Sequence, residues 1–324
     1  MPPAAAAHPS FERGRVVQGL IALLMKGRTQ AIVATVMFGM LALTVTPVAI
    51  ASAAVVVLAT LRNGGREGLL VVVSATLAMA GLGGLMFGMP LALAILGLIL
   101  WLPAWGLASV LGRSGSLART LEAASFGAVL LVVAQYLLLG DPAEYWEKLL
   151  REYVQGRLDP AVIPQADQQQ LLGLIAAWMP GGVAVSWLLL MTLAVFVGRW
   201  AQARLDKPGA FGEEFRQLRF SRTWLLLLPV LLASTFWGDA SDPSVLGQLY
   251  LVGMTLYLFQ GISMVHGLVK ITGAQAAWLF GLYFLMLVGA PHSVTAIAAA
   301  GYADGWLDFR AKVRARPDRS QGPD

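Results

Sequence analysis

The feature that most constrains this chain is the length of its uncharged runs: residues 29 to 61 carry no Asp, Glu, Lys or Arg, and neither do residues 68 to 112. A helix needs about 20 apolar residues to cross the hydrocarbon of a bilayer, so each run holds two helices rather than one. The apolar residues follow no amphipathic period, which argues against a large soluble core. The dyad alternation of a transmembrane β-barrel is missing too. Composition agrees, with 57% hydrophobic and 13% charged residues against roughly 25% charged in a soluble domain. The expected fold is all-α, a polytopic transmembrane helical bundle.

Breakers and charges divide the chain further. Thr44, Thr46 and Pro47 mark a bend in the first run, and Gly81, Gly83, Gly84, Gly88 and Pro90 mark one in the second. Two helices of about 15 residues each fall short of a full span, so the first run is a candidate re-entrant hairpin. Further spans are expected over Leu117 to Leu139, with Glu122 near its basic end, and near Leu171 to Gly198, Thr223 to Trp237, Val245 to Val269 and Ala274 to Ala290. A last helix starts at Ser293 and runs into charge at Asp304. The total is eight to ten membrane segments. Residues 1–28 read as a tail with an interfacial helix, 29–316 as one membrane domain and 317–324 as a disordered tail. The N-terminal residues put Ala4 to Ala7 before the basic Arg13 and Arg15, the reverse of a cleaved secretory signal.

Lys and Arg set the orientation. With both termini cytoplasmic, twenty of the 23 basic residues fall inside, and only Lys148, Arg151 and Arg157 fall outside. This asymmetry accounts for the pI near 9.7, makes the lipid bilayer the expected partner, and leaves no folded basic face for nucleic acid. On the outer side, Tyr145, Trp146, Leu149, Leu150, Tyr153 and Val154 recur at helical spacing opposite Glu144, Glu147, Lys148, Arg151 and Glu152. This is an amphipathic helix, read either as an interfacial connector or as a lid. Pro160 and Pro164 end it.

Catalytic chemistry finds little support. Without cysteine there is no thiolate nucleophile, iron–sulfur cluster or disulfide. Three histidines do not make a multi-His metal site, and no Walker A, G-x-S-x-G, H-E-x-x-H or G-x-G-x-x-G is present. The chain is read as a non-enzyme without cofactor or metal.

Polar groups inside apolar helices stand out instead. Gln260, Ser263 and His266 share one span, His292 follows Pro291, and GYADGWLDFR carries Asp304, Asp308 and Arg310. Such groups face a bundle interior or cavity and are paired. Ser263 and His266 lie a helical turn apart, but a serine there is expected to bond its own backbone or a neighbouring helix. Asp304 and Arg310 are six residues apart and do not share a helix face, so Asp304 is expected to pair with a group on another helix.

GAFGEEFRQLRFSR before one span, QGISMVHG inside the next but one and GYADGWLDFR near the C-terminus, together with MKGRTQAIVA and SAAVVVLATLRNGGREGLL, resemble the YybS-like bacterial membrane proteins. The resemblance covers most of residues 20 to 316. It implies an inner-membrane protein of unknown function whose fold is similar to the substrate-binding subunits of energy-coupling-factor transporters.

Two functional readings follow. One is a small-molecule binding or transport subunit with Gln260, Ser263, His266, Asp304, Trp178 and Trp187 as candidate lining residues. It requires a separate ATPase partner or an ion gradient, because no nucleotide motif is present. The alternative is a membrane scaffold that recruits partners through residues 199–222, where FGEEFRQLRFSR reads as an amphipathic helix. Phe215, Arg216, Arg219 and Arg222 are its candidate docking residues.

Overall fold

The computed structural model describes residues 18–19, 21–23, 26–154, 164–235 and 243–315. Every regular element among them is a helix. The chain divides into two compact units: residues up to Thr120 with Leu190–Glu214, and Leu121–Leu189 with Phe215 onward.

In the first unit, the two uncharged runs each fold as a pair of helices. They form α1 (Arg28–Ala42) with α2 (Val48–Asn63), and α3 (Gly65–Phe87) with α4 (Pro90–Ser114). Gly88 shows how the second pair is broken. Its φ of +67° lies in the left-handed region, which glycine enters without a Cβ penalty. The Met89 N–H then returns to the Gly83 carbonyl at 3.0 Å, closing a Schellman turn. Pro90 opens α4 where its missing N–H costs nothing. The core of this unit is built on Trp101. It is fully buried between Gly39 and Gly97 and donates from Nε1 to the Ser52 hydroxyl at 2.9 Å. Ser52 donates in turn to the Thr35 carbonyl at 2.7 Å. One polar chain therefore ties α4, α2 and α1 together, with Val56, Val72 and Ala75 packed around it.

In the second unit, α5 (Leu117–Leu139) leads to α6 (Pro142–Val154), the expected amphipathic helix. Asp141 caps α6 by accepting from the Ala143 and Glu144 N–H groups at 2.9 and 3.2 Å. Tyr145, Leu149 and Tyr153 are exposed on it; Pro160 lies outside the described residues. Next comes α7 (Gln165–Asp206), a single 42-residue helix, about 63 Å long at 1.5 Å per residue. The span expected over 171 to 198 is only its middle. It contributes to both units, as does α8 (Ala210–Arg216). The chain then forms α9 (Arg222–Thr235), α10 (Val245–Thr272), α11 (Ala277–Val288), α12 (His292–Leu307) and α13 (Phe309–Arg314).

Five of these helices, α3, α4, α5, α7 and α10, are long and apolar enough to cross a membrane. That is the mark of a multi-pass membrane protein. The outer surface agrees. No residue of α11 is buried, and Trp278, Phe280 and Leu287 are 70%, 74% and 80% exposed. So large an apolar display is an aggregation hazard in water and ordinary in hydrocarbon. The tightest seam of the second unit joins α10 to α12. A Cβ on Gly261 would lie 2.1 Å from the Ile297 carbonyl oxygen, and one on Gly301 would lie 2.2 Å from that of Tyr257. These two backbones touch because both positions lack side chains.

Two expectations are corrected. FGEEFRQLRFSR does not form one amphipathic helix. It stops at Arg216, and the following backbone groups bond to side chains of other elements instead. Arg310, set aside as a partner for Asp304 on straight-helix spacing, is that partner, because it lies on the separate helix α13, as shown below. The expected interfacial helix before Thr29 and the tail from residue 317 lie mostly or wholly outside the described residues.

Candidate functional site

The polar groups of the second unit gather into two knots with an aromatic cluster between them. The first knot surrounds Pro180, in the middle of α7. Proline has no N–H to offer the Ala176 carbonyl four residues back, so one rung of the helical ladder is missing there. In a regular helix the Gly181 N–H would donate to the Ala177 carbonyl. Here the Gln248 amide of α10 meets both groups, with Nε2 donating to Ala177 O at 2.6 Å and Oε1 accepting from Gly181 N at 2.8 Å. Gln135 of α5 donates to the Pro180 carbonyl at 3.1 Å, and its Oε1 accepts from Trp146 Nε1 of α6 at 3.0 Å. Two glutamines thus bond backbone groups around the proline of one long apolar helix, where an unmatched backbone group is costly. Gln248 and Gln135 are uncharged amides within apolar runs, the signal that singles out Gln260, and sequence reasoning passed over both.

The second knot holds residues 215 to 221. Gln260 is fully buried, accepts from the Phe220 N–H at 3.0 Å and donates to the Gly301 carbonyl at 2.8 Å. Ser263 donates to the Phe215 carbonyl at 2.6 Å. Asp304 and Arg310 meet at 2.7 Å, with side chains 0% and 6% exposed. They reach each other because Asp308, at φ +48°, ends α12 in the left-handed conformation and starts α13. The straight-helix spacing argument therefore fails at this point. The Asp304 carboxylate also accepts from the Phe309 N–H at 3.1 Å. Arg310 donates to the Arg216 and Leu218 carbonyls at 2.7 and 3.0 Å and to Ser263 Oγ at 3.3 Å. A buried cation is tolerable only when paired and hydrogen-bonded in this way.

Outside the buried part, Arg219 forms an ion pair with Asp308, and Glu122 Oε1 accepts from the Ser221 N–H at 2.5 Å. Partial burial pushes the Asp308 carboxyl up. The Ala311 N–H and the Arg219 guanidinium outweigh that and hold it below its ordinary value.

Between the knots lies Tyr257 of α10, 1% exposed. Its ring meets Tyr302 edge-on at 5.2 Å and Phe220 at 6.0 Å, and Tyr302 continues to Trp306 at 6.5 Å. Its hydroxyl has no hydrogen-bond partner among the described residues. Tyr257 and Tyr302 read as ordinary apolar-helix residues in sequence, and only packing brings them together.

The remaining expected lining residues lie elsewhere. His266 shares a hydrogen bond of 2.9 Å with the Tyr283 hydroxyl of α11 and stacks edge-on against Phe215 at 5.6 Å. Trp178 is half-buried on α7 one residue from Ala177, beside the first knot. Trp187 lies against Gly127 of α5, where a Cβ would be 2.8 Å from its ring. Among the docking residues, the Phe215 ring and the Arg219 guanidinium are engaged within the second unit, Arg216 is bonded there through its backbone carbonyl, and Arg222 is exposed. No group of His, Asp or Glu that could hold a metal occurs among the described residues. No protein-family model, no curated protein and no solved structure matches the chain.

Proposed function

We propose that the chain is a non-enzymatic small-molecule binding or transport subunit of a bacterial inner membrane, with both termini cytoplasmic and its ligand site at the Tyr257 cluster. The observation that carries this reading is the Tyr257 hydroxyl, buried and without a hydrogen-bond partner among the described residues. Buried hydroxyls nearly always find a partner, and a polar group of a bound molecule supplies it. The site lies on α10 between Gln248 and Gln260, twelve residues apart, or about 18 Å along a helix. Each glutamine bonds the backbone of a proline-containing or irregular segment. Opening one polar knot while the other stays shut exposes the centre to one side at a time, the geometry of a transporter built on discontinuous helices.

In this reading the four shorter apolar helices enter the bilayer with the five long ones, within the eight to ten segments expected. Energy comes from a separate ATPase or an ion gradient. The YybS-like resemblance and the likeness to energy-coupling-factor binding subunits belong to the same proposal. The scaffold alternative is less favoured, because the Phe215 ring packs against His266 and Arg219 pairs with Asp308 within their own chain.

Native mass spectrometry of the protein extracted gently from its own membrane tests the reading. A discrete adduct below one kilodalton that weakens several-fold in Tyr257→Phe supports it. An adduct-free wild type, or undiminished binding in Tyr257→Phe, overturns it, and a stoichiometric protein partner without an adduct favours the scaffold.

A further inference from the structure

The first unit carries an apolar groove between α1 and α3 that belongs to none of these networks. Its upper part, about 330 Å³, is lined by Val33, Met37 and Met40 of α1 and by Ala78 and Leu82 of α3. Its lower part, about 260 Å³, runs along α1 without a wall from α3, sharing Val33 and Met37 and continuing past Thr29 and Gln30 to Leu23. The two helices start at the same end of the unit, where Arg28 of α1 grips Glu67 of α3 through two hydrogen bonds of 2.9 and 2.7 Å. The walls are thus hydrocarbon along the groove and polar only at its mouth.

We infer that this groove holds one acyl chain of an anionic phospholipid, with the phosphate at the Arg28 end. Length is the first argument. From Thr29 to Met40 a helix rises about 16 Å, which matches one leaflet, half of a hydrocarbon core about 30 Å thick. Lining is the second. Val33 and Met37 are 55% and 61% exposed, an open trough rather than a closed cavity, and two methionines give it a wall that adapts to a flexible chain. Charge is the third. Glu67 engages both arms of Arg28, while Lys26 and Arg66, each within two residues of that pair, form no ion pair among the described residues. Two uncommitted cations at the mouth complement a phosphate and an anionic headgroup. Thr29 and Gln30 add hydrogen-bonding groups at the same depth.

The test uses the full-length chain, stripped in detergent and re-equilibrated with vesicles of equal phosphatidylglycerol and phosphatidylcholine, then read by native mass spectrometry. One phosphatidylglycerol per chain is expected to survive washing that removes other lipid. Val33→Trp with Met37→Trp fills the trough and lowers that occupancy at least tenfold. Leu287→Trp, on the exposed α11, leaves it unchanged. Lys26→Gln with Arg66→Gln keeps the bound lipid but brings the preference for phosphatidylglycerol close to one. If the double tryptophan variant fails to melt like the parent, Met37→Phe is read in its place, with a smaller loss expected. Full retention in the trough-filling variants overturns the inference. So does the absence of any wash-resistant lipid in the parent, or a headgroup preference that survives loss of both cations.

Discussion

Asp304 and Arg310, six residues apart in sequence, form a buried ion pair at 2.7 Å because a single left-handed residue, Asp308, folds the chain back between them. The pair does more than neutralise itself, since the same guanidinium caps carbonyls at 216 and 218. Asp304→Ala leaves Arg310 charged and unmatched, and the expected cost is about 3–5 kcal/mol. Arg151→Ala breaks only the exposed pair with Glu147 on α6, where about 0–1 kcal/mol is typical. Thermal unfolding in one detergent measures both, and similar losses in the two variants would contradict the assignment.

The Pro180 knot makes a prediction with its own suppressor. Gln248→Leu strands the Ala177 carbonyl and the Gly181 N–H, at about 1–3 kcal/mol. Adding Pro180→Ala supplies the N–H that the Ala176 carbonyl lacks and relieves the crowding of the preceding turn. The double variant is therefore expected to be more stable than Gln248→Leu alone. Additive losses would mean that Gln248 stabilises by another route.

At the α10–α12 seam, Gly301→Ala places a methyl group where the Tyr257 carbonyl lies 2.2 Å away. Overpacking of this kind costs about 1–3 kcal/mol, and more where backbone must shift. Gly281→Ala, where a Cβ meets nothing within 4 Å, serves as the control and should melt like the parent.

The Asp308–Arg219 pair gives a pH dependence. The folded carboxyl titrates below its ordinary 3.8, so the pair stabilises above that value. Its contribution fades as pH falls through 3.8 toward the lower folded value. Melting temperatures taken from pH 6 down to pH 3 should fall more steeply for the parent than for Asp308→Asn. Parallel curves would show that Asp308 titrates normally.

Long uncharged runs, together with threonine, glycine and proline breakers, make the helices of the first unit readable from residues alone. So does Leu117–Leu139, whose ends coincide with α5. These signals are local, and local energetics decide them. Gln260, Ser263 and Asp304 stand out as polar groups in apolar surroundings, and the structure does bring them together with Arg310. Their partners were not legible. Three of them are backbone groups at 215, 218 and 220, in a segment whose residue pattern promised a continuous helix. Tertiary hydrogen bonds overrode that local preference. Asp308 misled for a related reason, because an aspartate entering the left-handed region leaves no trace in periodicity. Gln135 and Gln248 carried the same signal as Gln260, yet what they serve is set by a proline on a third helix.

The glycine seam also bears on how such a chain can change over evolutionary time. Positions 261 and 301 admit only a hydrogen atom at the backbone carbon, since carbonyl oxygens of the facing helix lie 2.1 and 2.2 Å from any added Cβ. A descendant that keeps this pair of crossing helices must keep those two glycines, however far its polar residues have wandered.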